Sequence, residues 1–258
     1  MNSKKVCDFI VKWLINYVEN ARLDGFIVGV SGGVDSALTA SLCAETGKKV
    51  MLLNMPIRQK KDEYYRSEKQ IHQLESEYPN VTGLEIDLGE SFRQMGKSLP
   101  EETALNGLAM ANTRSRLRMT TLYAIGQTNR LLVTGTGNKV EDFGVGFFTK
   151  YGDGGVDINP IADLMKSEVF QLAAHLSVID EILKAKPTDG LWDDARNDED
   201  QIGATYEELE WAMTFKGLID NITERQREVL KIYQNFNTVN KHKMIPIPVC
   251  EIPEEIKL

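Results

Sequence analysis

Short apolar runs and longer amphipathic stretches alternate along the first half of the chain. The apolar runs at residues 25–30, 50–54, 84–88 and 131–134 predict four short buried strands. Between them, the sequence has helical character at residues 37–45, 61–77, 89–97 and 101–129. Strands that alternate with helices indicate βαβ units, so we predict an α/β fold, a Rossmann-like doubly wound parallel sheet with helices on both faces. In such a sheet, ligands bind beyond the carboxyl ends of the strands.

The N-terminal segment is amphipathic rather than uniformly apolar. Its apolar residues recur at helical spacing, which predicts a helix with one buried face. They are Val6, Phe9, Ile10, Trp13, Leu14, Tyr17 and Val18. Polar residues at positions 8, 12, 16 and 19 interrupt the segment, so it does not read as a signal peptide. No run in the chain approaches the ~18 apolar residues of a membrane span, and we expect no membrane association.

The second half of the chain contains loops as well as helices. Residues 143–157 hold five of the twenty glycines, too many for a regular element, and indicate a functional loop. Helical patterns return at residues 166–177, 206–215 and 223–235, whereas residues 193–201 read as a solvated acidic loop. The tail after Lys243 contains three prolines and is expected to be extended. Without an internal repeat or linker, residues 1–258 are expected to form one domain.

The net charge of −8 is unevenly distributed. Residues 193–210 contain eight acids and one base, net −7, so the other 240 residues carry only −1. This balance argues against general nucleic-acid binding, which depends on neutralising phosphates. The three cysteines are isolated and show no metal-binding spacing, which fits a reducing compartment, and we expect a cytoplasmic protein.

The sharpest candidate site is a glycine-bearing turn between the first strand and the next helix. It reads Gly29, Val30, Ser31, Gly32, Gly33, Val34, Asp35 and Ser36. Adjacent glycines let the backbone approach an anion, and the positive end of the following helix favours a phosphate there. The alternative is an ordinary strand-to-helix turn in which Asp35 or Ser36 caps the helix. The spacing matches neither a Walker A loop nor GxGxxG.

The string SGGVDS resembles the pyrophosphate loop of the N-type ATP pyrophosphatases, which cleave ATP between the α and β phosphates. The resemblance implies an adenine nucleotide alpha hydrolase-like fold and an ATP site formed by residues 29–36. Ser31, Gly32, Gly33 and Ser36 would hold pyrophosphate oxygens. Asp35 would help to hold Mg²⁺, which prefers carboxylate and phosphate oxygens.

Other segments are similar to the ammonia-dependent NAD synthetases within that superfamily. Residues 112–119 (NTRSRLRM), 135–141 (GTGNKVE) and 147–157 (FFTKYGDGGVD) resemble three of that family's motifs. The resemblance implies ATP contacts from Thr136, Lys166 and Thr188, and makes Glu141 a second Mg²⁺ ligand. It implies a deamido-NAD site formed by Arg116, Lys150, Asp157, His242 and Lys243. In the middle of GTGNKVE, Asn138 and Lys139 carry little weight.

Several of these residues also have an ordinary structural interpretation. Arg116 fits a solvated basic helix face, and Glu141 fits a routine acid at a helix start. Lys150 fits a solvated loop residue, and the pair His242-Lys243 fits a charged helix end. Only Lys166 slightly favours function on its own, because a lysine at a helix N-terminus is unfavourable against the helix dipole.

The resemblance implies an ATP- and Mg²⁺-dependent ligase that amidates deamido-NAD with ammonia. The substrate carboxylate would be adenylated with release of pyrophosphate, and ammonia would then expel AMP. No side-chain nucleophile is required, so no catalytic residue of that kind is expected. Because the matching segments run from near Gly29 to Lys243, we expect no fused glutaminase, while a separately encoded glutaminase stays open as a source of ammonia. The family implies a homodimer formed through residues 101–129.

Three other readings remain open from the sequence. A GMP-synthase-like amidating subunit would share SGGVDS but would not need the FFTKYGDGG loop. A tRNA-thiolating relative would need paired cysteines and a basic surface. A non-enzymatic nucleotide-binding module would need only the sheet and the phosphate loop.

Overall fold

The computed structural model describes residues 1–188, 190–191 and 197–257. Within these ranges, four strands form one parallel sheet in the order β3-β2-β1-β4. The strands are β1 Gly25–Gly29, β2 Lys49–Asn54, β3 Val81–Glu85 and β4 Leu131–Val133. From β1, the chain adds β2 and β3 on one side of the sheet and then returns to add β4 on the other side of β1. The order of strands therefore reverses at β1. The predicted parallel α/β architecture is confirmed.

The third strand begins three residues earlier than the sequence pattern predicts. Val50 of β2 pairs with Val81, and Asn54 pairs with Glu85. Gly83 interrupts the apolar run here, and the helix before the strand packs so closely that a Cβ on Gly83 would lie 2.4 Å from Ile71 Cγ2. Periodicity alone therefore passes over the residues 81–83 and places the strand at residues 84–88.

Eleven α-helices lie within the described ranges. They are α1 Ser3–Asn20, α2 Val34–Ala44, α3 Lys61–Glu77, α4 Gly89–Ser98, α5 Glu101–Ala104, α6 Gly107–Asn129, α7 Lys166–His175, α8 Asp180–Leu183, α9 Asp198–Ile202, α10 Tyr206–Thr214 and α11 Glu224–Met244. A π-helical turn spans Lys139–Val145, and 3-10 turns span Ile219–Asn221 and Glu254–Ile256. None of these helices combines the length and apolar character that crossing a membrane requires.

Two predicted helices and one predicted loop differ most from the structure. The stretch 101–129 is two helices, because the side chain of Asn106 accepts a hydrogen bond from the Ala109 N–H and starts α6 afresh. The last helix continues past residue 235 to Met244, where apolar periodicity no longer marks it. The acidic stretch 193–201 is a helix from Asp198 onwards, capped by Asn197, and residues 193–196 lie outside the described residues.

Helices cover both faces of the sheet. On one face, Phe26 and Val28 of β1 pack in a buried cluster with residues of α1, α2 and α7. On the other face, Ile27 packs with Leu53, Met119 and Leu122, which brings α6 against the sheet. Alternate residues of one strand thus enter opposite cores, as expected for a doubly wound sheet.

A third apolar cluster lies beside the sheet. It joins the π-helical turn to α9, α10 and α11 through Val140, Val145, Leu209 and Val229. This cluster holds residues 143–157, which we call the glycine-rich loop, against the C-terminal part of the chain.

Candidate functional site

A cavity of about 220 Å³ lies where β1 and β4 run side by side. The loops that follow these two strands form its walls, at the carboxyl edge of the sheet where the topology reverses and open α/β sheets bind ligands. The structure brings all the predicted ATP contacts to this cavity. They are Gly29, Val30, Ser31, Gly32, Gly33, Val34, Asp35, Ser36, Thr136, Lys166 and Thr188, together with the proposed metal ligand Glu141.

The loop after β1 leaves the start of α2 without a side-chain cap. The N-cap residue is Gly33, so neither Asp35 nor Ser36 caps the helix as the ordinary interpretation would have it. Instead, the Ser36 hydroxyl donates to the Gly33 carbonyl at 3.0 Å and accepts from the Ser31 N–H at 3.1 Å. The N-terminal end of α2 thus faces the cavity, where its dipole favours an anion.

Gly32 is required by both conformation and space. Its φ of +83° lies in the region that favours glycine, and a Cβ would lie 2.4 Å from the carbonyl oxygen of Glu63. Helix α3 holds the loop in this position, because Arg66 Nε donates to the Gly32 carbonyl at 3.0 Å and Ser67 Oγ donates to the Val30 carbonyl at 2.7 Å.

A buried ion triad forms the floor of the cavity. Lys166 Nζ lies 2.6 Å from Asp35 Oδ2 and 2.8 Å from Glu141 Oε1. The lysine side chain is 3% exposed, and the two carboxylates are 18% and 17% exposed. Three elements separated in sequence, α2, the π-helical turn and α7, therefore place one cation between two anions.

The environment shifts the pKa of each member of the triad. Burial raises the pKa of Asp35 above its usual value, although the Lys166 ammonium acts in the opposite direction. Burial also acts to raise the pKa of Glu141, but the Lys166 ammonium and the hydrogen bonds outweigh it, and the pKa is lowered. Burial acts to lower the pKa of Lys166, but the two carboxylates outweigh burial, so the pKa is raised and the lysine stays charged.

Two further buried side chains hold the carboxylates in place. Asn138 Nδ2 donates to Asp35 Oδ1 at 2.9 Å, while its Oδ1 accepts the N–H groups of Val140 and Glu141 at 3.0 Å each. The Tyr206 hydroxyl donates to Glu141 Oε1 at 2.5 Å. Asn138, which carried little weight in the sequence, thus links the two proposed metal ligands.

The sequence reasoning also missed a hydrogen-bonded wall of the cavity. Asp153 Oδ1 accepts from Ser115 Oγ at 2.6 Å and from the Thr149 N–H at 3.1 Å, and Arg118 Nε donates to the Met55 carbonyl at 3.0 Å. Ser115, Arg118 and Asp153 all line the cavity. Both motif segments that contain them were recognised, but the spacing within a motif does not tell which residues face inward.

The predicted deamido-NAD contacts lie outside this cavity. Four of them are linked where the glycine-rich loop meets the end of α11. Lys150 Nζ donates to the His242 carbonyl at 2.7 Å, and Lys243 Nζ donates to the Phe148 carbonyl at 2.8 Å. Arg116 Nε donates to the Lys150 carbonyl at 3.2 Å. We call the two lysine–carbonyl bonds the loop latch.

The fifth predicted contact, Asp157, lies at the other end of the glycine-rich loop. Its carboxylate accepts the Val133 N–H at 2.8 Å and the Tyr123 hydroxyl at 3.0 Å. In this structure, Asp157 therefore fixes the loop to the end of β4 and to α6.

Comparison with known proteins finds similar sequences and similar folds. A family model described as NAD synthase matches residues 6–245. The NH(3)-dependent NAD(+) synthetase of Mesoplasma florum is 34% identical over 237 residues, which cover 91% of this chain and 94% of that protein. Among solved structures, the NMN synthetase of Francisella tularensis superposes with a TM-score of 0.86 at 30% identity, covering 98% of this chain and 99% of that one. The NH3-dependent NAD synthetase of Campylobacter jejuni, solved with a nitrate ion, gives 0.77 at 27% identity, covering 97% and 100%.

Proposed function

Because the chain belongs to the NAD synthase family, we propose that it is a ligase that amidates deamido-NAD with ammonia to give NAD. A carboxylate oxygen of the substrate attacks the α-phosphorus of ATP, and pyrophosphate leaves with the electrons of the broken P–O bond. Ammonia then attacks the activated carbonyl carbon and loses one proton, and AMP leaves with the electrons of the C–O bond. The free carboxylate is a poor electrophile, and adenylation supplies its leaving group.

The observation that carries this proposal is the cavity beside the uncapped end of α2. Its loop residues Ser31, Gly32, Gly33 and Ser36, with the dipole of α2, are suited to the pyrophosphate oxygens. Thr136, Lys166 and Thr188 reach the same cavity from three other segments. The contribution of these residues is positioning and charge neutralisation, which suffice when the nucleophile belongs to the substrate.

Asp35 and Glu141 are the residues that would hold Mg²⁺. Their carboxylates meet at one point of the cavity and supply the hard oxygen atoms that this ion prefers. When bound, Mg²⁺ would neutralise charge on the polyphosphate. Asn138 holds the Asp35 carboxylate and Tyr206 holds the Glu141 carboxylate, so both carboxylates stay directed toward the same point.

We assign the deamido-NAD site to the surface around the loop latch. Three cationic side chains, those of Arg116, Lys150 and Lys243, each bond there to a backbone carbonyl of the glycine-rich loop or of α11. Their charge suits a dinucleotide with an anionic pyrophosphate. Asp157 would contact the same ligand from the base of the loop. We further propose a homodimer through residues 101–129, which include α6, and a cytoplasmic location.

The reaction can be tested with purified protein, ATP, Mg²⁺, ammonium and deamido-NAD, by measuring NAD, AMP and pyrophosphate. We expect the three products in equal amounts. Asp35→Asn should largely abolish AMP formation, whereas Asp163→Asn is the matched control, because that carboxylate is 96% exposed and bonds only to Lys139 among the contacts described. Formation of ADP, AMP release without deamido-NAD, or near-parental activity of the Asp35 variant would overturn the assignment.

A second candidate substrate is the corresponding mononucleotide. The specific observation in its favour is the close superposition on the NMN synthetase of Francisella tularensis, which covers nearly all of both chains. Amidation of nicotinic acid mononucleotide would use the same ATP cavity and the same carboxylate chemistry. Measuring kcat/KM for the dinucleotide and the mononucleotide under identical conditions distinguishes the two, and a higher value for the mononucleotide would replace the leading proposal.

A further inference from the structure

The ammonium group of Lys166 lies at the point where the two proposed metal ligands converge. Its Nζ is within 2.8 Å of an oxygen of Asp35 and an oxygen of Glu141 at the same time. Only 3% of the lysine side chain is exposed, so water does not screen these contacts appreciably. One cation of the protein itself therefore lies between these carboxylates.

The carboxylates are held independently of the lysine. Asn138 binds the other oxygen of Asp35, and its carbonyl oxygen fixes the backbone that carries Glu141. The Tyr206 hydroxyl binds Glu141, and the Tyr206 ring lies 4.8 Å below the ammonium. Removing the charge of Lys166 would thus leave two aligned carboxylates rather than a collapsed pocket.

Asp35 and Glu141 would hold Mg²⁺ through their carboxylate oxygens, and the Lys166 ammonium already contacts one oxygen of each. In a poorly solvated site, the ammonium would repel a second cation brought to the same two carboxylates. One of them must leave before the other can bind.

We propose that Lys166 is a resident counter-cation that excludes divalent metal from the Asp35–Glu141 site until a nucleotide arrives. This inference rests on the proposed function. The lysine lines the cavity together with Ser31 and Thr136, so the oxygens of a polyphosphate bound there offer the ammonium another anionic partner. When the ammonium turns to the polyphosphate, the two carboxylates become available to the metal. Metal and nucleotide then bind together rather than independently.

The test is a titration with Mn²⁺ in the absence of nucleotide, with free Mn²⁺ measured by electron paramagnetic resonance. The parent protein should bind Mn²⁺ weakly, and Lys166→Met should bind it at least about tenfold more tightly, because it removes a like charge from the site. Lys166→Arg keeps the cation and should stay weak. Lys139→Met is the matched control, since it removes a lysine that pairs with an exposed carboxylate outside the triad.

A second measurement uses thermal stability without any nucleotide. Mg²⁺ should raise the Tm of Lys166→Met, and of Lys166→Gln if the methionine variant folds poorly, because an ion that binds only the folded state stabilises it. Mg²⁺ should leave the Tm of the parent unchanged. Adding Asp35→Asn to the Lys166 variant should remove the rise in Tm that Mg²⁺ causes.

The outcomes separate this inference from the proposed function. The counter-cation role would be overturned if the parent bound Mn²⁺ tightly without nucleotide. It would also be overturned if the parent and Lys166→Met had equal affinity for Mn²⁺. A parent that forms NAD while binding Mn²⁺ tightly without nucleotide would defeat only this inference. A parent that forms no NAD would defeat the proposed function, whatever the metal titration shows.

Discussion

Replacing Asn138 with alanine removes the side chain that joins the two loops of the site. Asn138 is completely buried and makes three hydrogen bonds, one to the Asp35 carboxylate and two to backbone N–H groups. Alanine retains none of them. It leaves Asp35 with one fewer donor and leaves the N–H groups of Val140 and Glu141 without this acceptor.

The expected loss of stability follows from these bonds. A neutral hydrogen bond contributes about 0.5–1.5 kcal/mol net, and a bond to a charged group about 1.5–3 kcal/mol. Two of the first kind and one of the second give a free energy of unfolding lower by about 2.5–6 kcal/mol, which is a large effect for one substitution. At roughly 2–4 °C per kcal/mol for a chain of this size, Tm should fall by about 5–24 °C.

Urea unfolding followed by circular dichroism measures this difference, and Asn106→Ala is the matched control. Asn106 is also an asparagine that caps a helix, but it lies on the surface and makes a single such bond, to the Ala109 N–H at 2.9 Å. Its loss should cost about 1 kcal/mol. If Asn138→Ala were no more destabilised than Asn106→Ala, the buried asparagine would not link the two loops energetically.

Three other substitutions or treatments have defined outcomes. Gly32→Ala should destabilise the chain and abolish ATP binding by calorimetry, whereas Gly47→Ala, with a φ of +66° but open space around it, should cost stability alone and retain ATP binding. At pH 8, Ellman's reagent should react rapidly with Cys250, which is exposed, and with Cys7 and Cys43 only after unfolding. Burial raises the pKa of Cys7 to about 11 and the pKa of Cys43 to about 12. Equal rates for all three thiols would contradict this. The Arg225 guanidinium lowers the pKa of Glu208 to about 2. Glu208→Gln should therefore lower the Tm slightly at pH 7, and by progressively less as the pH falls from 4.5 toward 2. A Tm difference between parent and variant that stays constant across that range would contradict the ion pair.

Local sequence patterns predicted the elements whose causes are local. The helix at residues 61–77 was predicted at its observed ends, and its C-terminal end has a local cause, because Pro79 disfavours helical backbone in the residue before it. The strand predicted at residues 84–88 was wrong because Gly83 interrupts the pattern while the register is set by pairing with β2. The break before α6 depends on one asparagine cap inside an otherwise continuous helical composition.

In the candidate site, too, the contiguous residues could be predicted from the sequence, and the contacts between distant residues could not. The loop at residues 29–36 is contiguous, so its glycines and serines could be recognised in the sequence. The partners of Lys166 lie 131 and 25 residues away, and Asn138 reaches across 103 residues to Asp35. Such contacts leave no spacing signal in a single sequence. The family resemblance named Lys166, Asp35 and Glu141 individually, but only the fold shows that the lysine lies between the two carboxylates.

The loop latch has a consequence for synthesis of the chain. Its two bonds join residues 92 and 95 positions apart, and in both cases the later partner lies at the end of α11. At about 5–20 residues per second, a ribosome needs roughly 5–20 s to extend the chain over that interval. During this time the glycine-rich loop has been made but cannot form either bond. A nascent chain can therefore complete its sheet and the loop at residues 29–36 well before the glycine-rich loop gains the partners that hold it.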